Sequence, residues 1–298
     1  MENSVAAKWR YQVDKKFIKI KDVLEKLYAK YNHHRFIPPD PLQFVYRYSN
    51  RADREIAGFL AALLAYGRVQ QIEKDLTSLF GQMGKSPCEF VRSFDNNKRK
   101  KLEPFRHRFN TGDDISDLLE ILKIALGKYG SIEKIFVQGY NQADKNIIPA
   151  LSMFCDSLLG MYAKNHSGKA AKGLNYLLSR PQAGSACKRL NLFLRWMVRD
   201  DQVDAGLWKS IDKAKLIVPV DVHMGRLCRI LGFYSRKTVS LSTALEITDG
   251  FSKIEPSDPV KYDFALSRIG IVENCTGRRR DECENCELFG FCFGLEKN

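Results

Sequence analysis

Residues Ile56 to Tyr66 read IAGFLAALLAY, a run that is apolar on almost every face of a helix. Such a helix has no side that water can wet, so it is stable only at the centre of a larger helical body. At 298 residues and 44% hydrophobic content, the chain is long enough to supply that body. Asp53 stands ahead of the run as a candidate N-cap.

Helical periodicity continues through DDISDLLEILKIAL, IIPALSMFCDSLLGMYA and SACKRLNLFLRWMVR. Stretches such as KNHSGKAAKG and SRPQAGS punctuate it with Gly, Pro, Asn and Ser. Strand-like alternation is confined to short pieces near Lys16 to Ile20, so the expected class is mainly α. The segment FDNNKRKKLEPFRHRFNTGDD reads as a polar break. No long linker divides the chain, so two domains would have to be interleaved.

Lys and Arg number 48 against 35 Asp and Glu, a formal net charge of +13. That excess favours a polyanionic partner, nucleic acid first, although ribosome-associated and membrane-surface proteins share it. The opening segment has no apolar core of signal-peptide type, and no stretch approaches the length of a membrane span. A cytoplasmic monomer is expected. Its eight cysteines would then stay reduced, which points to metal or chemistry before disulfides.

Cys275, Cys283, Cys286 and Cys292 form the pattern C-x7-C-x2-C-x5-C. So short a segment has no core of its own and gains its fold from a bound metal. Structural zinc usually takes two close pairs, whereas here one close pair is flanked by two single cysteines. The asymmetry suits a [4Fe-4S] cluster, with zinc as the alternative. Cys88, Cys155, Cys187 and Cys228 sit in apolar helical contexts, where cysteine behaves as a small hydrophobe. Arg278, Arg279 and Arg280, between the first two tail cysteines, are suited to phosphate oxygens or else form a solvated run.

Ser185 reads as the N-cap of SACKRLNLFLRWMVR, which places Lys188 in the first helical turn. There the positive end of the helix dipole, with Arg189 and Arg195 nearby, disfavours the ammonium form; the neutral amine is a nucleophile able to form a Schiff base. Lys188, Asn191, Arg195 and Arg199 share one face, which a solvated basic stripe would also explain. In VPVDVHMGRLCRILG, Met224, Leu227, Cys228 and Leu231 recur at helical spacing, and Gly232 closes a helix expected over 222–231. Asp221 is its N-cap. A capping carboxylate is held rigidly beside backbone N–H groups, and it can also stabilise a cation next to it.

VPVDVHMGRLCRILG resembles the segment of helix-hairpin-helix DNA glycosylases that carries their catalytic aspartate. DFALSRIGIVENCTGRRRDECENCELFGFC resembles the final helix and iron–sulfur loop of their endonuclease III and adenine glycosylase branch, with one extra residue between the first two cysteines. REIAGFLAALLAYGRV resembles the superfamily's early helix, which ends at a loop contacting DNA. These segments cover both ends of the fold, and the middle third is matched only by helical character. The superfamily's hairpin usually reads LPGVG-x-K/T; here RPQAGSACKRL stands in its place without the Gly-x-Gly, and the interval from Lys188 to Asp221 is long. Archaeal 8-oxoguanine glycosylases are similar in both respects. Over the whole chain the sequence is similar to an uncharacterised bacterial family of this superfamily.

The resemblance implies a helix-hairpin-helix glycosylase fold of two interleaved helical domains. Residues 1–68 with 222–298 would bear the C-terminal cluster loop, and residues 69–221 would lie between. It implies a base-excision repair glycosylase with abasic-site lyase activity, acting on an oxidised base such as 8-oxoguanine flipped out of duplex DNA. Lys188 would attack C1′ and Asp221 would stabilise the sugar cation. Asp263 and Ser267, on a helix opened by Asp258 and Pro259, would read the base edge, and Tyr66 and Trp196 would stack on it. Arg68, Arg195, Arg278, Arg279 and Arg280 would hold phosphate, and the four tail cysteines the cluster. Composition also allows a non-catalytic DNA-binding protein with a structural cluster, or a zinc-stabilised RNA-binding protein.

Overall fold

A computed structural model describes residues 2–166, 172–273 and 275–292. Its helices are α1 (Glu2–Tyr31), α2 (Arg51–Leu63), α3 (Val69–Met83), α4 (Pro87–Arg92), α5 (Asn96–Leu102), α6 (Gly112–Tyr129) and α7 (Ile132–Phe136), followed by α8 (Ile148–Asn165), α9 (Lys172–Leu177) and α10 (Lys188–Val198). Then come α11 (Val222–Ile230), α12 (Leu241–Ser252), α13 (Asp263–Ile271) and the single turn α14 (Phe289–Cys292). Among the described residues, strand is limited to β1 (Arg106–His107) and β2 (Asn110–Thr111), paired antiparallel. The protein is mainly α, and no described helix is long and apolar enough to cross a membrane.

The apolar run takes the central position its composition demands. From Ile56 to Leu63 every residue of α2 is buried, enclosed by the 3-10 segment Pro41–Arg47, by α4 and by α10. Gly58 permits the closest approach: a Cβ there would meet Met197 Cε at 2.9 Å and Val45 Cγ2 at 3.2 Å. The N-cap is Asn50, whose side chain accepts the Ala52 N–H, and not Asp53. Asp53 lies buried in the first turn and serves α4, accepting from Ser86 Oγ and from the Cys88 N–H. Glu55 does the same for α7, taking the N–H groups of Ile132 and Glu133 at 2.9 Å each and the indole N–H of Trp208 at 2.8 Å. Burial pushes its carboxyl above the usual range against those bonds.

Two local expectations yield to tertiary context. Lys16 to Ile20 is helical, because Ile20, Leu24, Leu27 and Tyr31 form one buried stripe of α1 that packs along α13. The polar break around residue 100 is structured. It holds α5, then the two-strand hairpin, and it ends at Thr111, which caps α6 in a capping box with Asp114. His107 and Asn110 are fully buried inside it. The break KNHSGKAAKG separates α8 from α9, and its residues 167–171 lie outside the described ones.

Candidate active site

The stretch leading into α10 sets the direction of its first side chain. Pro181 opens a 3-10 turn over Pro181–Ala183, and Gly184 follows in the left-handed region at φ 76°. Cys187 is also left-handed, at φ 47°, a conformation that costs a side-chain-bearing residue about 1–2 kcal/mol. It is held there by three bonds. Its N–H donates to Ser185 Oγ, and its thiol shares one proton between the carbonyls of Ser179 and Ser185. The N-cap of α10 is therefore Cys187 and not Ser185, and Lys188 is the first helical residue. The four-residue face predicted from spacing splits. Lys188 is half-exposed, whereas Asn191, Arg195 and Arg199 are buried, so no solvated basic stripe exists.

Lys188 Nζ donates to the carbonyl of Ala65, just past the end of α2, at 3.2 Å. It also lies 3.8 Å from Asp221 Oδ2. Asp221 is the N-cap of α11, as its position predicts, and its other oxygen, Oδ1, accepts the Met224 N–H at 2.9 Å. One carboxylate thus does two things: the cap fixes its plane, and that plane aims the free oxygen at the lysine. Both side chains face a cavity of about 770 Å³, within the usual range for ligand clefts. Its walls come from the end of α2, the start of α10, the start of α11 and one face of α13.

Asp263 and Ser267 also line this cavity, but α13 begins at Asp263; Asp258 and Pro259 belong to the preceding turn. Asp263 is buried and hydrogen-bonded by Arg195 Nη1. Burial pushes its carboxyl up to about 6, with Arg195 offsetting only part of the rise. Ser267 Oγ donates to the Phe264 carbonyl and accepts from Arg268. Arg195 is 2% exposed and pairs with Asp204 as well as Asp263, so it braces the interior, while it also lines the cavity and its Nη2 has no hydrogen-bond partner. Trp196 is fully buried on the other side of α10, does not line the cavity, and cannot stack on a ligand. Tyr66 lines the cavity, but its ring is covered by His107, Tyr176 and the Arg189 guanidinium. Arg68 is exposed beside the cavity residues Gly67 and Val69.

Sequence reasoning missed a second carboxylate with divided duties on the same wall. Asp40 Oδ1 accepts the Leu42 N–H, while Oδ2 accepts from the buried Arg268 at 2.9 Å. Asp40 directly precedes Pro41 and so carries a cap signal, but nothing local announces a partner 228 residues away. Tyr176 and Arg189 were missed for the same reason.

The cysteine tail packs beside this body. Arg226 of α11 donates to the Cys275 carbonyl, its side chain running over Gly277, where a Cβ would meet Arg226 Cδ at 2.6 Å. Arg280 is half-buried and donates to the Glu273 carbonyl, so it braces the loop. Arg278 and Arg279 are exposed. Burial, and then the charges of Cys286, Cys275 and Cys283, push the Cys292 thiol up to about 11. Cys88, Cys155, Cys187 and Cys228 are buried elsewhere. Two groups of potential ligands include carboxylates that bond cations of the chain: Arg99 bonds Asp117 and Glu120, which lie with His166, and Lys30 bonds Glu273 and Glu287, which lie with the tail residue Cys286.

Fold and site together define a helical protein with a lysine–carboxylate pair facing a deep cavity. A family described as "Protein of unknown function (DUF2400)" matches residues 40–272. That is most of the chain, and the chain belongs to this family. Neither curated proteins nor solved structures yield a match.

Proposed function

We propose that the protein is a DNA glycosylase with abasic-site lyase activity, acting on an oxidised base such as 8-oxoguanine. The observation that carries this reading is the Lys188–Asp221 pair, 3.8 Å apart and facing one cavity. The amine of Lys188 attacks C1′ as the C1′–N bond breaks, and the bond's electron pair leaves with the base. The free oxygen of Asp221 stabilises the positive charge that develops on the sugar. Opening of the ring yields a Schiff base, and loss of the C2′ proton then expels the 3′ phosphate. The exposed Arg68, Arg278 and Arg279 would hold phosphates, a role that the net charge of +13 supports.

Cys275, Cys283, Cys286 and Cys292 fit a [4Fe-4S] cluster better than a single zinc. Structural zinc usually takes two close pairs of thiolates, whereas one close pair flanked by two single cysteines suits a cubane whose irons each take one thiolate. Such a cluster would tie the tail to α11 and α13, and no catalytic step passes through it. Anaerobically purified protein should contain about four irons and four labile sulfides per chain; stoichiometric zinc instead would overturn the assignment.

Borohydride trapping tests the chemistry, with duplexes bearing a panel of oxidised bases and an abasic site. A covalent protein–DNA adduct is expected. No adduct and no cleavage on any lesion would leave a binding protein in place of an enzyme.

A further inference from the structure

The β1–β2 hairpin turns on only two residues, Arg108 and Phe109, with Arg106 opposite Thr111 and His107 opposite Asn110. Its base is immobilised. His107, fully buried, bonds Asp75 through Nδ1 at 2.7 Å and meets the Tyr66 carbonyl at Nε2 at 3.1 Å. The Tyr66 hydroxyl lies 2.6 Å from Asn110 Oδ1 and 3.0 Å from the His107 carbonyl. Arg108 is left-handed at φ 52°, and its side chain lies over Gly67, where a Cβ would meet it at 2.7 Å. A hairpin anchored this firmly nevertheless carries Phe109 at its tip, 67% exposed. Folding alone offers no reason to hold a phenyl ring rigidly in water.

The ring is the outer member of a row. Phe109 meets Tyr176 edge-on at 5.8 Å, and Tyr176 meets Tyr66 at 5.3 Å. Guanidinium groups interleave with the rings: Arg108 lies 5.2 Å from Phe109, and Arg189 lies 4.5 Å from Tyr176 and 4.9 Å from Tyr66. Tyr176, Tyr66 and Arg189 line the cavity that holds Lys188, so the row runs without a break from the hairpin tip to the site. Arg106 and Arg68 add exposed positive charge beside it. A partner that suits the row must present flat apolar faces and regularly spaced anionic groups, which describes a nucleic-acid strand with unpaired bases.

We infer that Phe109 is a stacking platform for an unpaired base next to the one received by the cavity. This rests on the reading of the partner as DNA. Because the ring is exposed, Phe109→Ala leaves the fold intact, and Phe109→Trp preserves the stacking surface. Binding of wild type and both variants is measured on a fully paired duplex, a duplex with a one-base bulge, and a single strand. Phe109→Ala should weaken binding to the bulged and single-stranded probes about tenfold, and Phe109→Trp should restore it. Binding to the paired duplex, dominated by phosphate contacts, should change by less than about twofold. Equal binding of wild type and Phe109→Ala on every probe overturns the platform alone. Failure of the wild type to bind any probe overturns the platform and the DNA reading together. Phe109-dependent binding without any trapped adduct upholds the platform and removes only the lyase chemistry.

Discussion

Two ionic constellations share α10, and they are built on opposite plans. At its first residue, Lys188 faces one carboxylate oxygen at 3.8 Å, with both side chains partly in water. Two to three turns on, Arg195 and Arg199 are all but inaccessible and divide four aspartates between them: Asp204 and Asp263, then Asp201, Asp204 and Asp258. Buried charges persist only when matched and hydrogen-bonded, and the aspartates fix both guanidiniums in place, although Arg195 keeps Nη2 without a hydrogen-bond partner and lines the cavity beside Asp263. Tyr28 adds its hydroxyl to Asp201, tying α1 to the same brace. The outer pair is unsaturated. A lysine held loosely near one oxygen can exchange that neighbour for a substrate, and this separates a reactive pair from a structural one.

The sharpest way to break the comparison is Lys188→Gln, which should abolish borohydride-trapped adducts, because an amide forms no Schiff base. Half-exposed and outside the core, this change should alter stability by no more than about 0.5 kcal/mol. Trapping that survives would move the nucleophile elsewhere. The inner network should behave in the opposite manner. Arg195→Met leaves Asp263 buried without its cation, while Asp204 keeps Arg199, and should cost about 3–5 kcal/mol in urea unfolding.

That loss should depend on pH, with a definite sign. Asp263 is already pushed up to about 6 from 3.8 by burial, and without Arg195 it rises further. A carboxyl with a raised folded-state value contributes its stability below the unfolded value and loses it as pH rises through the folded one. The deficit of Arg195→Met should therefore shrink toward acid pH and widen toward neutrality. A constant deficit would mean that lost packing, and not stranded charge, is responsible.

Asp221→Asn gives a smaller and more diagnostic effect. Asparagine caps helices about as well as aspartate, so stability should fall by at most about 1 kcal/mol. Base excision should nonetheless drop roughly a hundredfold, because the amide sets no charge against the sugar cation. Single-turnover kinetics alongside thermal unfolding would separate the two. Full activity in the variant would reduce Asp221 to a cap.

How much of this was legible beforehand follows the range of each interaction. Helix α11 and its cap were readable because capping and periodicity act within four residues of one another. The centrality of α2 was readable because an all-apolar helix has only one environment open to it. Cys187 in place of Ser185 at the head of α10 was not, since a left-handed cysteine is held by contacts that no propensity anticipates. Arg195 and Arg199 looked like a solvated stripe because their residue type argues for water. Their partners, such as Asp263 at a separation of 68 residues, argue otherwise.

By itself, then, the sequence determined the helical class, the buried centre, the cap at Asp221 and the clustering of four cysteines in the tail. Each of these is written in local spacing, which a chain carries before it folds. Tertiary structure alone decided that Lys188 meets Asp221 at a cavity, that Arg195 is buried between Asp204 and Asp263, and that Phe109 stands exposed beside Tyr176. Those outcomes depend on which helices pack together. Packing is settled by the summed burial of the whole core, so no single segment encodes it.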